Sequence, residues 1–165
     1  AMGWFIIVLL PITVRIGEAV LADRPISPHA NLVTRRGLAL IERKIAEHRP
    51  QLAQALEADD QEAASRASRE LRYWTARHAT AELAEPPAQA EQVVFGTAVT
   101  LGYPDGRRVV FRIVGEDEAD PTMGRIGWTA PVARALLGAD IGDRRRLPVG
   151  EVEVLAIDGM PEPLE

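Results

Sequence analysis

Two groups of carboxylates are the residues whose type and spacing could do chemistry. Asp59, Asp60 and Glu62 stand close together between two helical patterns, and the run EDEAD occupies residues 116–120. Carboxylate oxygens are the ligands that Mg²⁺ prefers, so either group could contribute to a metal site. The acid-x-x-acid spacing of Asp59 and Glu62 also fits a solvated helix turn in which Asp59 or Asp60 caps the second helix. An extended acidic loop would point successive carboxylates to opposite faces, which favours solvent over a metal.

Other kinds of reactive site are absent from the sequence. The chain has no cysteine, which excludes thiolate metal sites, disulfides and cysteine nucleophiles. No nucleophile with its base, phosphate-binding glycine loop or zinc pattern is present. His48 and His78 fall on an apolar helical stripe with no third ligand near, so we interpret them as packing histidines. We therefore expect a protein that is not itself an enzyme and has no cofactor of its own.

Composition indicates a globular chain with an uneven charge distribution. The 165 residues are 47% hydrophobic and 26% charged, enough for one ordinary domain or two small ones. A formal net charge of −5 argues against a general nucleic-acid clamp. Residues 91–165 carry thirteen acidic and eight basic side chains and hold the whole negative excess. This asymmetry predicts two units with different partners.

Residues 1–33 are interpreted as an N-terminal extension and linker. The apolar run at 3–16, GWFIIVLLPITVRI, is broken by Pro11 and is shorter than the roughly 20 residues of a membrane span. No basic residue precedes it, as a secretory signal would require. A docking strand, an expression scar and translation from an upstream start codon all remain open. We expect a non-essential extension and no membrane, with a weak membrane or partner anchor as the alternative.

Residues 34–85 carry the pattern of an antiparallel helical hairpin. Thr34 can cap the first helix, and Pro50 predicts a kink within it. The tip is expected near residues 58–62. Apolar or small side chains recur at intervals of three and four along both arms. These positions are Leu38, Ile41, Ile45, His48, Leu52 and Leu56 in the first arm, and Ala64, Ala67, Leu71, Trp74, His78 and Ala81 in the second.

After a linker at 86–91, residues 92–158 change to a period of two, which predicts strands. Segments 93–101 and 107–114 flank a Pro-Asp-Gly turn at 104–106, typical of a hairpin. A short strand is expected at 125–128, a helix at 131–137 and a last strand at 151–157, with a turn at 144–146. The predicted fold class is α+β: a helical hairpin followed by an antiparallel sheet with one short helix.

The C-terminal stretch resembles a known family. The segments VVFGTAVTL (93–101), FRIVGEDEADP (111–121), GRIGWTAPVARALLGADIGD (124–143) and VEVLAI (152–157) resemble the FKBP-like domain of the GreA/GreB transcript-cleavage factors in order and spacing. Upstream, LVTRRGLALIE (32–42), HRPQ (48–51) and RELRYWT (69–75) resemble the coiled coil of that family. The resemblance covers about residues 31–158.

The resemblance implies a partner and a mechanism. Members of the family bind bacterial RNA polymerase at the rim helices of its secondary channel, and their coiled coil reaches inward. Two acidic residues at the tip help to hold a second Mg²⁺ in the active site of the polymerase, which then cuts backtracked RNA. Asp59 and Glu62 match the spacing of the family's D-x-x-E, but its flanking Gly, Ser and Asn are absent here. The chain would hold no metal alone, and any Mg²⁺ would be shared with the polymerase.

The hairpin is shorter than the resemblance would require for cleavage. Each arm lacks about nine residues relative to the family, which removes roughly 13 Å of reach at 1.5 Å per residue. Equal shortening of both arms preserves an antiparallel pair. A Mg²⁺ ligand must place its oxygen within about 2.1 Å of the ion. Stimulation of cleavage is therefore doubtful, whereas binding to the polymerase is not.

The resemblance also implies two contact surfaces. In the family the acidic loop and the following helix face the rim helices, and a basic patch on the hairpin faces RNA, giving indirect contact with the RNA and DNA of the elongation complex. A solvated acidic loop and ordinary helix ion pairs are the alternatives. The polymerase candidates are Glu116, Asp117, Glu118, Asp120, Pro121, Pro131 and Arg134. The basic candidates are Arg66, Arg69 and Arg72, with Arg77 as a further member.

Three functional hypotheses follow. The first is a cytoplasmic, monomeric elongation factor of the GreA/GreB type. The second is a short-hairpin regulator similar to Rnk, which competes for the same polymerase site without cleavage. The third is a prolyl isomerase. It is disfavoured because the aromatic residues of the C-terminal half look like ordinary strand positions; these are Phe95, Tyr103, Phe111 and Trp128.

Overall fold

The structure is a computed structural model that describes residues 15–16, 19–20 and 22–164. Most of the apolar run at 3–16 lies outside the described residues, so the interpretations of that run stay predictions. Arg15–Ile16 (β1) pairs antiparallel with Ala19–Val20 (β2). Among the described residues, no helix combines the length and the apolar character that crossing a membrane requires.

The chain divides into two compact units. The first contains the residues up to 26 together with 44–76, and the second contains 27–43 together with the residues from 77 onward. This division cuts through both long helices. The first turns of α1 and the last residues of α2 thus belong with the sheet. The domain bounds expected from the sequence, at 1–33, 34–85, 86–91 and 92–158, stay predictions.

Two long helices confirm the predicted hairpin. Arg35–Glu57 (α1) and Gln61–Thr80 (α2) pack together and are joined by a connection of three residues. Thr34 caps α1, because its hydroxyl accepts a hydrogen bond from the Gly37 amide at 3.0 Å. Pro50 lies inside α1, which continues for seven more residues.

The apolar stripe of the first unit is built largely from alanine. Ala55, Ala64, Ala67 and Trp74 are buried, and the last three of these agree with the predicted stripe. The prediction is wrong at Leu56, which is 64% exposed. In that turn the smaller Ala55 takes the buried position.

The predicted stripe also fails at the end of α2. There His78 is exposed and Arg77 is buried instead. The face of α2 shifts by one residue because the Arg77 guanidinium has partners inside the second unit. His78 lies 3.5 Å from the Glu42 carboxylate.

The tip of the hairpin is a compact helix-ending motif. The Asp60 amide donates to the Ala55 carbonyl and the Asp59 amide to the Leu56 carbonyl, the pattern of a Schellman motif. Asp59 occupies its left-handed position with φ 54°. Asp and Asn tolerate this conformation better than most residues, which explains a non-glycine residue here.

A short parallel pair closes the base of the hairpin. Leu32–Val33 (β3) pairs with Glu82–Leu83 (β4), so part of the segment interpreted as a linker is a strand. The pairing is extended by the Glu82 amide donating to the Asn31 carbonyl at 2.8 Å. Two-residue strands have no detectable period, which is why the sequence did not reveal them.

The C-terminal sheet has five strands: Ala98–Gly102 (β5), Arg108–Val114 (β6), Arg125–Gly127 (β7), Arg144–Leu147 (β8) and Gly150–Asp158 (β9). Their order in the sheet is β7-β6-β5-β9-β8. The pairs β5–β6, β5–β9 and β8–β9 are antiparallel, and the Pro-Asp-Gly turn between β5 and β6 is confirmed. The prediction of a wholly antiparallel sheet is wrong, because β6 and β7 are parallel.

Two local features explain the differences in the sheet. The chain between β6 and β7 passes through two 3-10 turns, Glu116–Glu118 and Pro121–Met123, and this crossover lets β7 run parallel to β6. Residues 144–146 form most of β8 rather than the predicted turn, because each of these arginines is paired in register with β9.

The core of the second unit lies between the sheet and the short helix Pro131–Leu136 (α3). Alternate residues of β5 and β9 point into it, as their period of two predicted. Its fully buried members include Val99, Leu101, Ile113, Leu136, Val152 and Val154. The aromatic residues considered for an isomerase pocket, Phe95, Tyr103, Phe111 and Trp128, pack half-buried against this core.

Gly115 offers a test of how closely β3 approaches the end of β6. A Cβ added at Gly115 would lie 2.4 Å from the Leu32 carbonyl oxygen. The Gly115 backbone is ordinary, with φ −67° and ψ 161°, so alanine there is penalised only by the steric clash. We expect Gly115→Ala to lower the free energy of unfolding by about 1–3 kcal/mol in urea denaturation. The matched control is Gly127→Ala, whose Cβ would meet its nearest atoms at 3.8 Å and should cost much less. Equal effects would contradict the close approach.

Candidate functional site

The acidic residues of the hairpin tip have different structural roles. Asp60 caps α2, because its Oδ1 accepts from the Ala63 amide at 3.0 Å. Glu62 forms an exposed ion pair with Arg66, at 2.9 Å one helical turn away. Asp59 is exposed, and its left-handed backbone sets the turn. Capping by Asp60 agrees with the expectation that Asp59 or Asp60 caps the second helix.

The tip offers carboxylates without a metal cage of its own. The described part of the chain contains no cluster of three or more His, Cys, Asp or Glu residues able to hold a metal ion. Mg²⁺ is often bound by only one or two protein carboxylates, with other ligands supplied from elsewhere.

The basic candidates on α2 are engaged in contacts within the first unit. Arg66 pairs with Glu62, and Arg72 binds the Asp23 carboxylate at 2.8 Å and the Ser68 hydroxyl at 2.7 Å. The Arg69 Nε is buried and has no hydrogen-bond partner in the described structure. Arg66 thus carries an ion pair of the kind that solvated helices make, whereas the ion pair of Arg72 joins α2 to residue 23.

Residues 23–24, which we interpreted as the start of a linker, pack against α2. The Arg24 guanidinium lies 3.7 Å from the centre of the Tyr73 ring and 2.7 Å from the Glu70 carboxylate. Its distance to the Trp74 ring centre is 5.6 Å, within cation–π range. No sequence signal pointed to this contact, because Arg24 is isolated and lies about 50 residues before the aromatic pair on α2.

The acidic loop is tied to the end of α2 by a buried arginine. The Arg77 side chain is 3% exposed, and its Nε donates to the Asp117 carboxylate at 2.5 Å. Its Nη2 donates to the Asn31 side-chain oxygen at 2.7 Å. The Asn31 amide nitrogen in turn donates to the Arg77 carbonyl at 2.7 Å. Asp117, predicted to face a partner, is therefore part of a buried network.

Glu118 is bound in the same way to the start of α1. Its side chain is 1% exposed. The carboxylate accepts from the Thr34 hydroxyl at 2.5 Å and from Arg36 at 3.3 Å. Gly37 leaves the space for it, since a Cβ there would lie 2.8 Å from the Glu118 Oε1. Thr34 therefore links the cap of α1 to the acidic loop.

Glu116 is held ionised beside this network. Burial acts to raise its pKa, but hydrogen bonds from Ser27 and Thr129 and the charge of Arg77 outweigh burial, so the pKa lies below its usual value. The Thr129 hydroxyl donates to the carboxylate at 2.8 Å. All three carboxylates of the first 3-10 turn thus have partners within the second unit.

The remaining candidates present more exposed surface. Asp120 accepts hydrogen bonds from the Thr122 amide and hydroxyl, at 3.2 and 2.6 Å, and shapes the second 3-10 turn. Pro121, Pro131 and Arg134 are exposed. Met123, which the sequence did not single out, is 65% exposed beside them in the chain. An exposed methionine adapts to varied partner surfaces.

The buried Arg77 network predicts a large stability loss on its removal. Arg77→Ala leaves the Asp117 carboxylate without its buried cation, and we expect a loss of about 3–5 kcal/mol in chemical denaturation. The control is Arg66→Ala, which removes an exposed pair within one helix and should change stability by at most about 0.5 kcal/mol. A comparable loss in both variants would contradict the distinct role of Arg77.

Comparison with known proteins gives one family for the C-terminal region. The family model "Transcription elongation factor, GreA/GreB, C-term" matches residues 88–158. Transcription elongation factor GreB of Neisseria meningitidis serogroup B (strain ATCC BAA-335 / MC58) is 38% identical over 96 residues, covering 54% of this chain and 59% of the relative. Transcription elongation factor GreA of Anaeromyxobacter sp. (strain K) is 42% identical over 88 residues, covering 51% of each protein.

A solved structure is also similar. The GreA factor homolog 1 (Gfh1) protein of Thermus thermophilus aligns with a TM-score of 0.39 and 23% identity, over 79% of this chain and 100% of its own. The chain spans little more than half the length of the two curated relatives. Residues 88–158 of the chain are thus similar to the C-terminal domain of the GreA/GreB family.

Proposed function

We propose that this chain is a transcription elongation factor that binds bacterial RNA polymerase at its secondary channel and modulates elongation or backtracked complexes. The match of residues 88–158 to the GreA/GreB C-terminal domain carries the proposal. A two-helix hairpin that ends in exposed carboxylates supports it, since a pore-entering factor needs such an element. The factor acts in the cytoplasm as a monomer.

The polymerase-binding surface is formed by the exposed residues around the second 3-10 turn and the start of α3. Asp117 and Glu118 serve internal ion pairs, so their charge is largely neutralised before any partner arrives. Pro121, Met123, Pro131 and Arg134 are exposed and provide apolar contact together with a cation. The acidic loop fixes this surface rather than making the main contact itself.

The hairpin modulates the polymerase active site with little cleavage. Its helices of 23 and 20 residues are about 34 and 30 Å long at 1.5 Å per residue. The cleavage chemistry belongs to two metal ions of the polymerase, and a visiting factor only adds ligands to the weaker one. The chain is therefore not an enzyme and at most stimulates the intrinsic RNA cleavage of its partner.

A second function is favoured by the environment of Glu62. The carboxylate is already paired with Arg66, so binding a metal would first require breaking that ion pair. A factor that occupies the channel without supplying a pair of free carboxylates would compete with cleavage factors, as the Rnk-like alternative describes. The two functions share one binding site and differ only in what the tip does there.

The tip is tested on a backtracked elongation complex. We expect the full chain to leave RNA cleavage within about twofold of the polymerase alone, because its carboxylates do not come within about 2.1 Å of the catalytic Mg²⁺. Added with a cleavage-competent GreA, the chain should slow cleavage by competition. Gel analysis of labelled transcript measures both effects.

Two variants of the tip complete this test. Asp59→Asn removes the carboxylate and keeps a residue that tolerates the left-handed backbone, whereas Asp59→Ala would add strain. Glu57→Gln removes an exposed carboxylate at the end of α1 as a matched control. Strong cleavage that Asp59→Asn abolishes and Glu57→Gln preserves would contradict the inadequate reach. Failure to compete with GreA would contradict binding at the channel.

The binding surface is tested by charge reversal at Arg134. We expect Arg134→Glu to weaken polymerase binding about fivefold in a surface-based binding assay, since a charge at the rim of an interface affects association. Arg146→Glu makes the same change at an exposed position on β8 and should leave binding intact. Unchanged affinity of Arg134→Glu, or equal loss in both variants, would contradict this surface.

A further inference from the structure

Three arginines in the second unit converge on one carboxylate of the C-terminal segment. The Arg125 Nε and Nη2 donate to the two Glu162 oxygens at 3.1 and 3.2 Å, a bidentate contact that raises the pKa of Arg125. The Arg112 and Arg36 Nε atoms lie 3.9 and 4.0 Å from the same carboxylate. All three arginine side chains are less than one-fifth exposed.

Among the described residues, the Glu162 carboxylate makes its hydrogen bonds with Arg125 alone. Arg112 and Arg36 lie beyond the roughly 3.2 Å limit of a good hydrogen bond to Glu162; Arg36 donates to Glu118 at 3.3 Å, and Arg112 donates to the Gly96 and Met160 carbonyls at 3.0 Å. A phosphate monoester presents three acceptor oxygens and carries a charge of about −1.5 to −2 near pH 7. An anion of that shape can accept from all three guanidinium groups at once, and arginine forks recognise phosphate as readily as carboxylate.

A cavity opens beside the cluster. Its volume is about 220 Å³, several times the roughly 30 Å³ that one water occupies. Arg36, Arg112 and Glu162 contribute to its charged side, and Pro86 and Pro161 to its apolar side. The remaining lining also comes from the second unit: Thr34, Arg35, Ala84, Glu85, Ala88, Gly96 and Gly159. The space can accept a small organic group attached to the phosphate.

The segment that carries Glu162 is weakly attached. Met160 and Leu164 are 56% and 58% exposed, so the segment buries little apolar surface. Apart from the ion pairs of Glu162 itself, the segment is held by the Gly159 amide donating to the Ala88 carbonyl at 3.2 Å and by Arg112 donating to the Met160 carbonyl at 3.0 Å. Segments with few buried contacts open at low free-energy cost. Glu162 can therefore leave the arginines without unfolding the sheet.

We propose that Arg36, Arg112 and Arg125 form a binding site for the phosphate group of a small phosphorylated molecule, with Glu162 as a built-in competitor. Binding exchanges one anion for another: the Glu162 carboxylate moves into solvent and the phosphate dianion takes its place. Arg125 adjoins the second 3-10 turn of the proposed polymerase-binding surface, since its amide donates to the Asp120 carbonyl at 3.0 Å, but the test of the phosphate site requires no polymerase.

The test measures binding of inorganic phosphate, ribose 5-phosphate and AMP to the full chain by isothermal titration calorimetry. We expect Glu162→Gln to bind these anions about tenfold more tightly than the unaltered chain, because the competing carboxylate is gone. Glu151→Gln removes an exposed carboxylate of β9 and should not change the affinity. Arg125→Gln in the Glu162→Gln background should abolish binding.

A second variant releases the segment without altering any charge. A Cβ at Gly159 would lie 1.8 Å from the Pro87 carbonyl oxygen, so Gly159→Ala should displace the segment and strengthen anion binding as Glu162→Gln does. Thermal denaturation checks that Gly159→Ala is folded. If it is not folded, the binding measured with Glu162→Gln alone tests the proposal.

The three probes distinguish a phosphorylated organic ligand from inorganic phosphate. Tighter binding of AMP or ribose 5-phosphate than of inorganic phosphate supports an organic ligand in the cavity, and equal affinities support a site for the phosphate group alone. Absence of binding to Glu162→Gln, or binding that survives Arg125→Gln, would overturn the proposal.

Discussion

The burial of the Arg77 guanidinium is the constraint on which the second unit depends. A buried charge is tolerated only when it is paired and hydrogen-bonded. Asp117 and Asn31 meet this requirement from two segments distant in sequence. The end of α2, the residues before α1 and the loop after β6 must therefore fold together. The β3–β4 pair and the contact between Thr34 and Glu118 lie in these same segments.

Several carboxylates have structural roles of this kind. Asp117 and Glu118 stabilise the fold, and Asp60 caps a helix, so none of the three is freely available to a partner. Asp59 is exposed at the tip, and the exposed prolines and Arg134 lie next to the acidic loop in sequence or on α3. The contact surface that we propose is therefore largely apolar and includes a cation, although the chain carries a net negative charge.

Local patterns revealed the elements that local interactions dictate. The three-four spacing of alanines and Trp74 predicted α2, the Pro-Asp-Gly turn predicted the β5–β6 hairpin, and Thr34 was correctly expected to cap α1. Non-local pairing escaped prediction. Arg77 lies one position from the predicted stripe and is buried only because Asp117 is there to meet it.

Other features of the second unit also depend on non-local pairing, so the sequence did not reveal them. Residues 144–146 were predicted to be a turn before the last strand, yet their register with β9 makes them a strand. The parallel direction of β7 follows from the crossover after β6. The convergence of three arginines on Glu162 joins residues up to 126 positions apart and left no sequence signal.

The most direct test of binding in the secondary channel is photo-crosslinking from position 61, the exposed first residue of α2, in a complete elongation complex with RNA polymerase. The account predicts crosslinks to the wall of the secondary channel; crosslinks confined to the outer surface of the polymerase, or none, would contradict it.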